Sequence, residues 1–85
     1  MYQVGFDKMN SAFGIWMHLR DRYRLEGSFW GYLGSPAELT DDRCGWNVTD
    51  TQLNRIEALF SPHALTFVKA ILCQKKSQRK HNAND

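Results

Sequence analysis

Apolar positions recur along this chain with a helical period over most of its length. At about 100° per residue, Met9, Ala12, Phe13, Trp16, Leu19 and Tyr23 share one face, and Asn10, Gly14, His18 and Asp21 lie opposite. The pattern predicts an amphipathic helix from Asp7 to about Glu26, with Asp7 as N-cap. A second periodic stretch runs from Val48 to Lys80 and reads as two helices joined at Phe60-Ser61-Pro62. Thr49 with Gln52 has the spacing of a capping box, and Val48 with Leu53 that of a hydrophobic staple. Leu53, Ile56, Leu59 and Phe60 should face the core from the first of these helices. Ser61 precedes a proline, which pushes it out of the helical region and lets it cap the next helix with Pro62 at its first position. From that last helix Ala64, Leu65, Val68, Ile71 and Leu72 should be buried, with Phe67 and Cys73 off the face.

Between these stretches the pattern is less regular. Gly27-Ser28-Phe29-Trp30-Gly31-Tyr32-Leu33-Gly34 carries three glycines and three aromatics, which argues for a connector whose rings plug the core. The other reading of this connector is an exposed aromatic platform. Ser35-Pro36-Ala37-Glu38-Leu39 repeats the Ser-Pro capping arrangement and predicts a short helix ending near Cys44, with Gly45 at the left-handed position after it. The expected fold is therefore all-α: a small bundle of four helices, the second one short, with a Gly/aromatic connector and a basic C-terminal extension. Residues 1–80 form its single helical domain and 81–85 a frayed tail.

Composition supports one core and little more. The chain has 85 residues, 42% of them hydrophobic and 13% aromatic; at this length roughly 60–65% of the unfolded surface can be buried. Net charge is only +2, but it is unevenly spread. Residues 1–34 carry +1, residues 35–60 carry −3, and residues 61–85 carry +4 through Lys69, Lys75, Lys76, Arg79 and Lys80 against Asp85. The start of the chain, Met1 to Asp7, has neither a basic run nor an apolar segment, and no stretch approaches the length of a membrane span. The expectation is a cytoplasmic protein with Cys44 and Cys73 reduced.

Catalytic and metal chemistry find little support in these residues. Cys44, His63, Cys73 and His81 are spaced 19, 10 and 8 apart, unlike the close ligand pairs of a zinc site. Cys73 sits in an apolar helix and reads as packing, which leaves Cys44 as the one candidate thiol, with no base identified for it. Asp41 and Asp42 are adjacent and would point apart on a helix. The expectation is a non-enzyme with no cofactor, no metal, no membrane contact and no small-molecule substrate.

Two binding roles remain. The first is a small regulatory protein that associates with nucleic acid, using Lys69, Lys75, Lys76, Arg79 and Lys80 to neutralise phosphates. The second is a protein-binding inhibitor or adaptor that presents Phe29, Trp30, Tyr32, Trp46 and Phe67 together with the acidic segment Glu38–Asp50. The order of features bears on the choice: the aromatic-Gly-Tyr stretch, Ser-Pro, then Asp50, Arg55-Ile56-Glu57 and a second helix. In that order the chain resembles short phage late-gene regulators of the antitermination Q and ArpU type, which continue into a further DNA-reading helix. The resemblance rests on these few residues and implies a transcription-linked role.

Overall fold

Tyr2, Val4, Trp46 and Val48 alternate with Gln3, Gly5, Gly45 and Asn47, and this period of two builds a sheet. The computed structural model describes residues 1–34 and 36–73. Strand β1 (Tyr2–Gly5) leads directly into helix α1 (Phe6–Tyr23), followed by a short helix α2 (Phe29–Leu33), strands β2 (Glu38–Leu39) and β3 (Gly45–Val48), and helix α3 (Asp50–Leu59). Residues 64–73 are helical and are called α4 below. The sheet is antiparallel in the order β1-β3-β2, with Tyr2 opposite Val48, Val4 opposite Trp46, and Leu39 opposite Trp46 on the other side. The domain is α+β, which overturns the expected all-α helical bundle.

Two local expectations fail with it. Glu38 and Leu39, read as the start of a short capped helix, instead pair with Asn47 and Trp46. The proposed cap, Ser35, lies outside the described residues. Gly45, read as a helix C-cap, sits inside β3 opposite Gly5, where a Cβ would lie 2.3 Å from the Val4 carbonyl oxygen. Only glycine lets the two backbones come this close.

One face of the sheet is buried. Val4 and Val48 pack with Met9, Ala12 and Trp16 of α1, Phe29, Tyr32 and Leu33 of α2, Ile56 and Leu59 of α3, and Val68 of α4. Trp16 stacks on Tyr32 with centroids 5.2 Å apart and planes 13° from parallel. Among the described residues the buried indole Nε1 of Trp16 has no hydrogen-bond partner, which costs about 1–3 kcal/mol against the favourable burial of the ring. The Tyr32 hydroxyl donates to the Arg55 carbonyl at 3.0 Å, and Arg55 Nη1 donates back to the Tyr32 carbonyl at 2.9 Å. This reciprocal pair ties α2 to α3. Burial raises the Tyr32 phenol well above its ordinary range, with the nearby Arg55 charge opposing the shift.

Helix ends follow local chemistry. Gly5 precedes α1 with extended backbone and no side-chain cap, so Asp7 is not the N-cap. The helix stops at Tyr23, three residues short of Glu26, because Arg24 turns left-handed at φ 53° and its N–H bonds back to the Arg20 carbonyl. At α3 the expected capping box is present in full: Thr49 accepts from the Gln52 N–H and Gln52 accepts from the Thr49 N–H. Ser61 marks the junction to α4, donating to the Ala58 carbonyl and accepting from the His63 N–H. Several apolar residues assigned to the core are exposed instead: Phe13, Tyr23 and Phe60 lie at 45%, 41% and 45% of their full accessibility. Cys73 is exposed as well.

Candidate functional site

Three surface features could do chemistry or binding: a basic end, an aromatic face and a thiol-bearing turn. The basic end is built where α1 stops. Its last turn carries Arg20 and Arg22, and Arg24 follows at the C-cap, a placement that suits the negative end of the helix dipole. Arg20 pairs with Asp21 at 3.5 Å, half-buried against the helix. Exposed Tyr23 lies between two cations: the Arg22 guanidinium is 5.8 Å from its ring centroid and Lys69 Nζ is 5.5 Å from it. Both distances fall within cation–π reach. Lys69 belongs to α4, which runs beside the turn after α1; a methyl group added to Gly27 would touch Leu72 at 3.9 Å. Lys69 therefore shares the Tyr23 ring with Arg22. Lys75, Lys76, Arg79 and Lys80 lie outside the described residues.

The second feature is a cluster of aromatic rings. The Trp30 and Trp46 rings are 5.3 Å apart, Phe6 meets Trp46 edge-on at 6.3 Å, and Phe29 meets Trp30 at 5.5 Å. Phe13 meets Phe29 edge-on in turn at 5.5 Å. Within this ladder Phe29 is buried, Trp30 and Trp46 are half-buried, and Phe6 and Phe13 are exposed. Of the five aromatics assigned to a protein-binding surface, Phe29 and Tyr32 are core residues and offer none. Phe67 is exposed but meets Tyr32 on another side. Phe6 and Leu39 join the surface instead. For Leu39, alternation with polar Glu38 and Thr40 was the signal that could have placed it.

Cys44 is held in the turn between β2 and β3. The Thr40 hydroxyl donates to Asp42 Oδ1 at 2.6 Å, and the Cys44 N–H donates to both Thr40 Oγ1 and Asp42 Oδ1. The Thr40 hydroxyl and then the Cys44 N–H hold the Asp42 carboxyl below its ordinary range. Hydrogen bonding to Asp42, and then its charge, push the Cys44 thiol up. That is the wrong direction for a nucleophile, which needs the thiolate. Among the described residues no three of His, Cys, Asp and Glu come together to hold a metal ion. No described helix is long and apolar enough to cross a membrane.

No family model, no curated protein and no solved structure matches this chain.

Proposed function

We propose that the chain is a small non-enzymatic regulatory protein that associates with nucleic acid through its basic end. The observation that carries the reading is the meeting of α4 with the end of α1. Lys69 reaches the Tyr23 ring beside Arg22, and the sequence then continues from α4 into Lys75, Lys76, Arg79 and Lys80. Among the described residues, Arg22 and Lys69, cations from distant parts of the chain, thus meet at one ring, while Glu38, Asp41, Asp42 and Asp50 sit in or beside the β2–β3 hairpin and α3. Phosphate contacts of this kind give affinity without reading sequence. A transcription-linked, phage or mobile-element role and a cytoplasmic location belong to the same proposal; a reducing compartment keeps Cys44 and Cys73 as thiols.

Fluorescence anisotropy with labelled duplex and single-stranded oligonucleotides at low salt tests it. Wild type binds, Lys69→Gln weakens binding about two- to fivefold, and changing Lys75, Lys76, Arg79 and Lys80 together to Gln removes most of it, as expected for loss of phosphate neutralisation. Equal affinity of wild type and the fourfold variant ends the proposal.

A further inference from the structure

We infer that the exposed Tyr23 ring is a stacking platform for an unpaired nucleobase, so that the basic end takes single-stranded nucleic acid in preference to duplex. The inference rests on the nucleic-acid reading above and deepens it, by naming the form of the ligand and the side chain that selects it.

Local structure leaves this ring outside the core. Tyr23 is the last residue of α1, and the left-handed turn at Arg24 ends the helix directly after it. The Arg24 and Leu25 N–H groups both bond to the Arg20 carbonyl and fix that turn. Exposed Phe6, Phe13 and Phe67 each meet another ring edge-on. Over Tyr23 the neighbours are cations instead, Arg22 at 5.8 Å and Lys69 at 5.5 Å. Both lie near the outer limit of cation–π reach, about 6 Å, and the residue keeps 41% of its accessibility. The cations border the ring without sealing it.

These charges are also free to serve a ligand. Phe60 has a cation over it too, but that group, Lys8, is paired with Glu57. Among the described residues neither Arg22 nor Lys69 has a carboxylate partner, and Asp21 is paired with Arg20. Phosphates need only the charge. A flat, accessible ring between the cations adds a π surface, which a base can use and a phosphate cannot. In a duplex the bases are stacked on one another, so only the backbone meets this end. An unpaired base can turn onto Tyr23 while the phosphates beside it meet Arg22 and Lys69. Duplex carries the denser charge, and electrostatics alone would favour it. A preference for the single strand is therefore the mark of stacking.

Three fluorescein-labelled ligands of equal length serve as probes for the full chain at low salt: oligothymidylate, an abasic strand with the same phosphates, and a duplex. Wild type is expected to bind oligothymidylate about tenfold more tightly than the abasic strand, and more tightly than the duplex. Tyr23→Leu should lower the oligothymidylate affinity to that of the abasic strand and leave the abasic strand's own affinity unchanged. Tyr23→Phe keeps the ring and should bind as wild type does. Circular dichroism reports whether the variants fold, and the comparison of ligands on wild type holds whether or not they do. Equal binding of oligothymidylate and the abasic strand, tighter binding of the duplex, or a folded Tyr23→Leu that keeps the preference each overturns the inference and leaves the nucleic-acid reading standing. Binding to none of the three ends that reading and the inference with it.

Discussion

Two glycines with opposite roles show how a single position responds to its surroundings. Gly45 faces the β1 backbone at a distance no Cβ can share, so Gly45→Ala should cost about 1–3 kcal/mol by forced displacement of the strands. Gly14 is on the exposed side of α1 with nothing within 4 Å of where a Cβ would sit. Gly14→Ala should therefore stabilise by about 0.5–1 kcal/mol, the helix-propensity difference. Urea unfolding of both variants reads the two signs directly. The turn residue Asp42 makes a further prediction. Its carboxyl is lowered in the folded state, so the support it lends is present above the unfolded value and lost as pH falls through the folded one. The same carboxylate raises the Cys44 thiol. In a Cys73→Ser background, Asp42→Asn should alkylate faster with iodoacetamide at mildly alkaline pH; an unchanged rate would show that Asp42 does not control the thiol.

Among the elements, those with local causes could be read from the sequence and those with distant causes could not. Helix α1 announces itself through Met9, Ala12 and Trp16, which are buried as expected. The α3 start is set by Thr49 and Gln52 three residues apart, and it is present as expected. Thr49→Ala should cost about 1 kcal/mol in urea unfolding, because it leaves a first-turn N–H without its acceptor. The strands depend on pairings across the chain. Tyr2–Gly5 meets Gly45–Val48, and four residues of period two are too short a signal to outweigh the glycines at their ends. At Pro36–Leu39 a helix-start pattern lost to pairing with β3, a case of tertiary contacts overriding local preference. The aromatic surface was half legible. Trp30 and Trp46 were named for their type, but periodicity could not show that Phe29 and Tyr32 fill the core while Phe6 and Phe13 remain outside.

For the whole molecule, the feature that bears most on function is the uneven spread of charge along the sequence of a small α+β domain. Residues 35–60, which hold the hairpin and α3, carry −3, and the fold sets Lys69 and Arg22 at the same Tyr23 ring. Net charge hides this, because the two ends nearly cancel. Under the proposed function, Lys69 and the cations that follow it in the sequence attract phosphate. Salt is the variable that reports on it, since each phosphate contact releases bound counterions. The most direct test of the account is the slope of log affinity for duplex DNA against log salt concentration. If Lys69, Lys75, Lys76, Arg79 and Lys80 each neutralise a phosphate, the wild-type slope is about −4 to −4.5, and it falls to about −1 when the last four become Gln. A wild-type slope near zero, or one that the fourfold variant leaves unchanged, would contradict it.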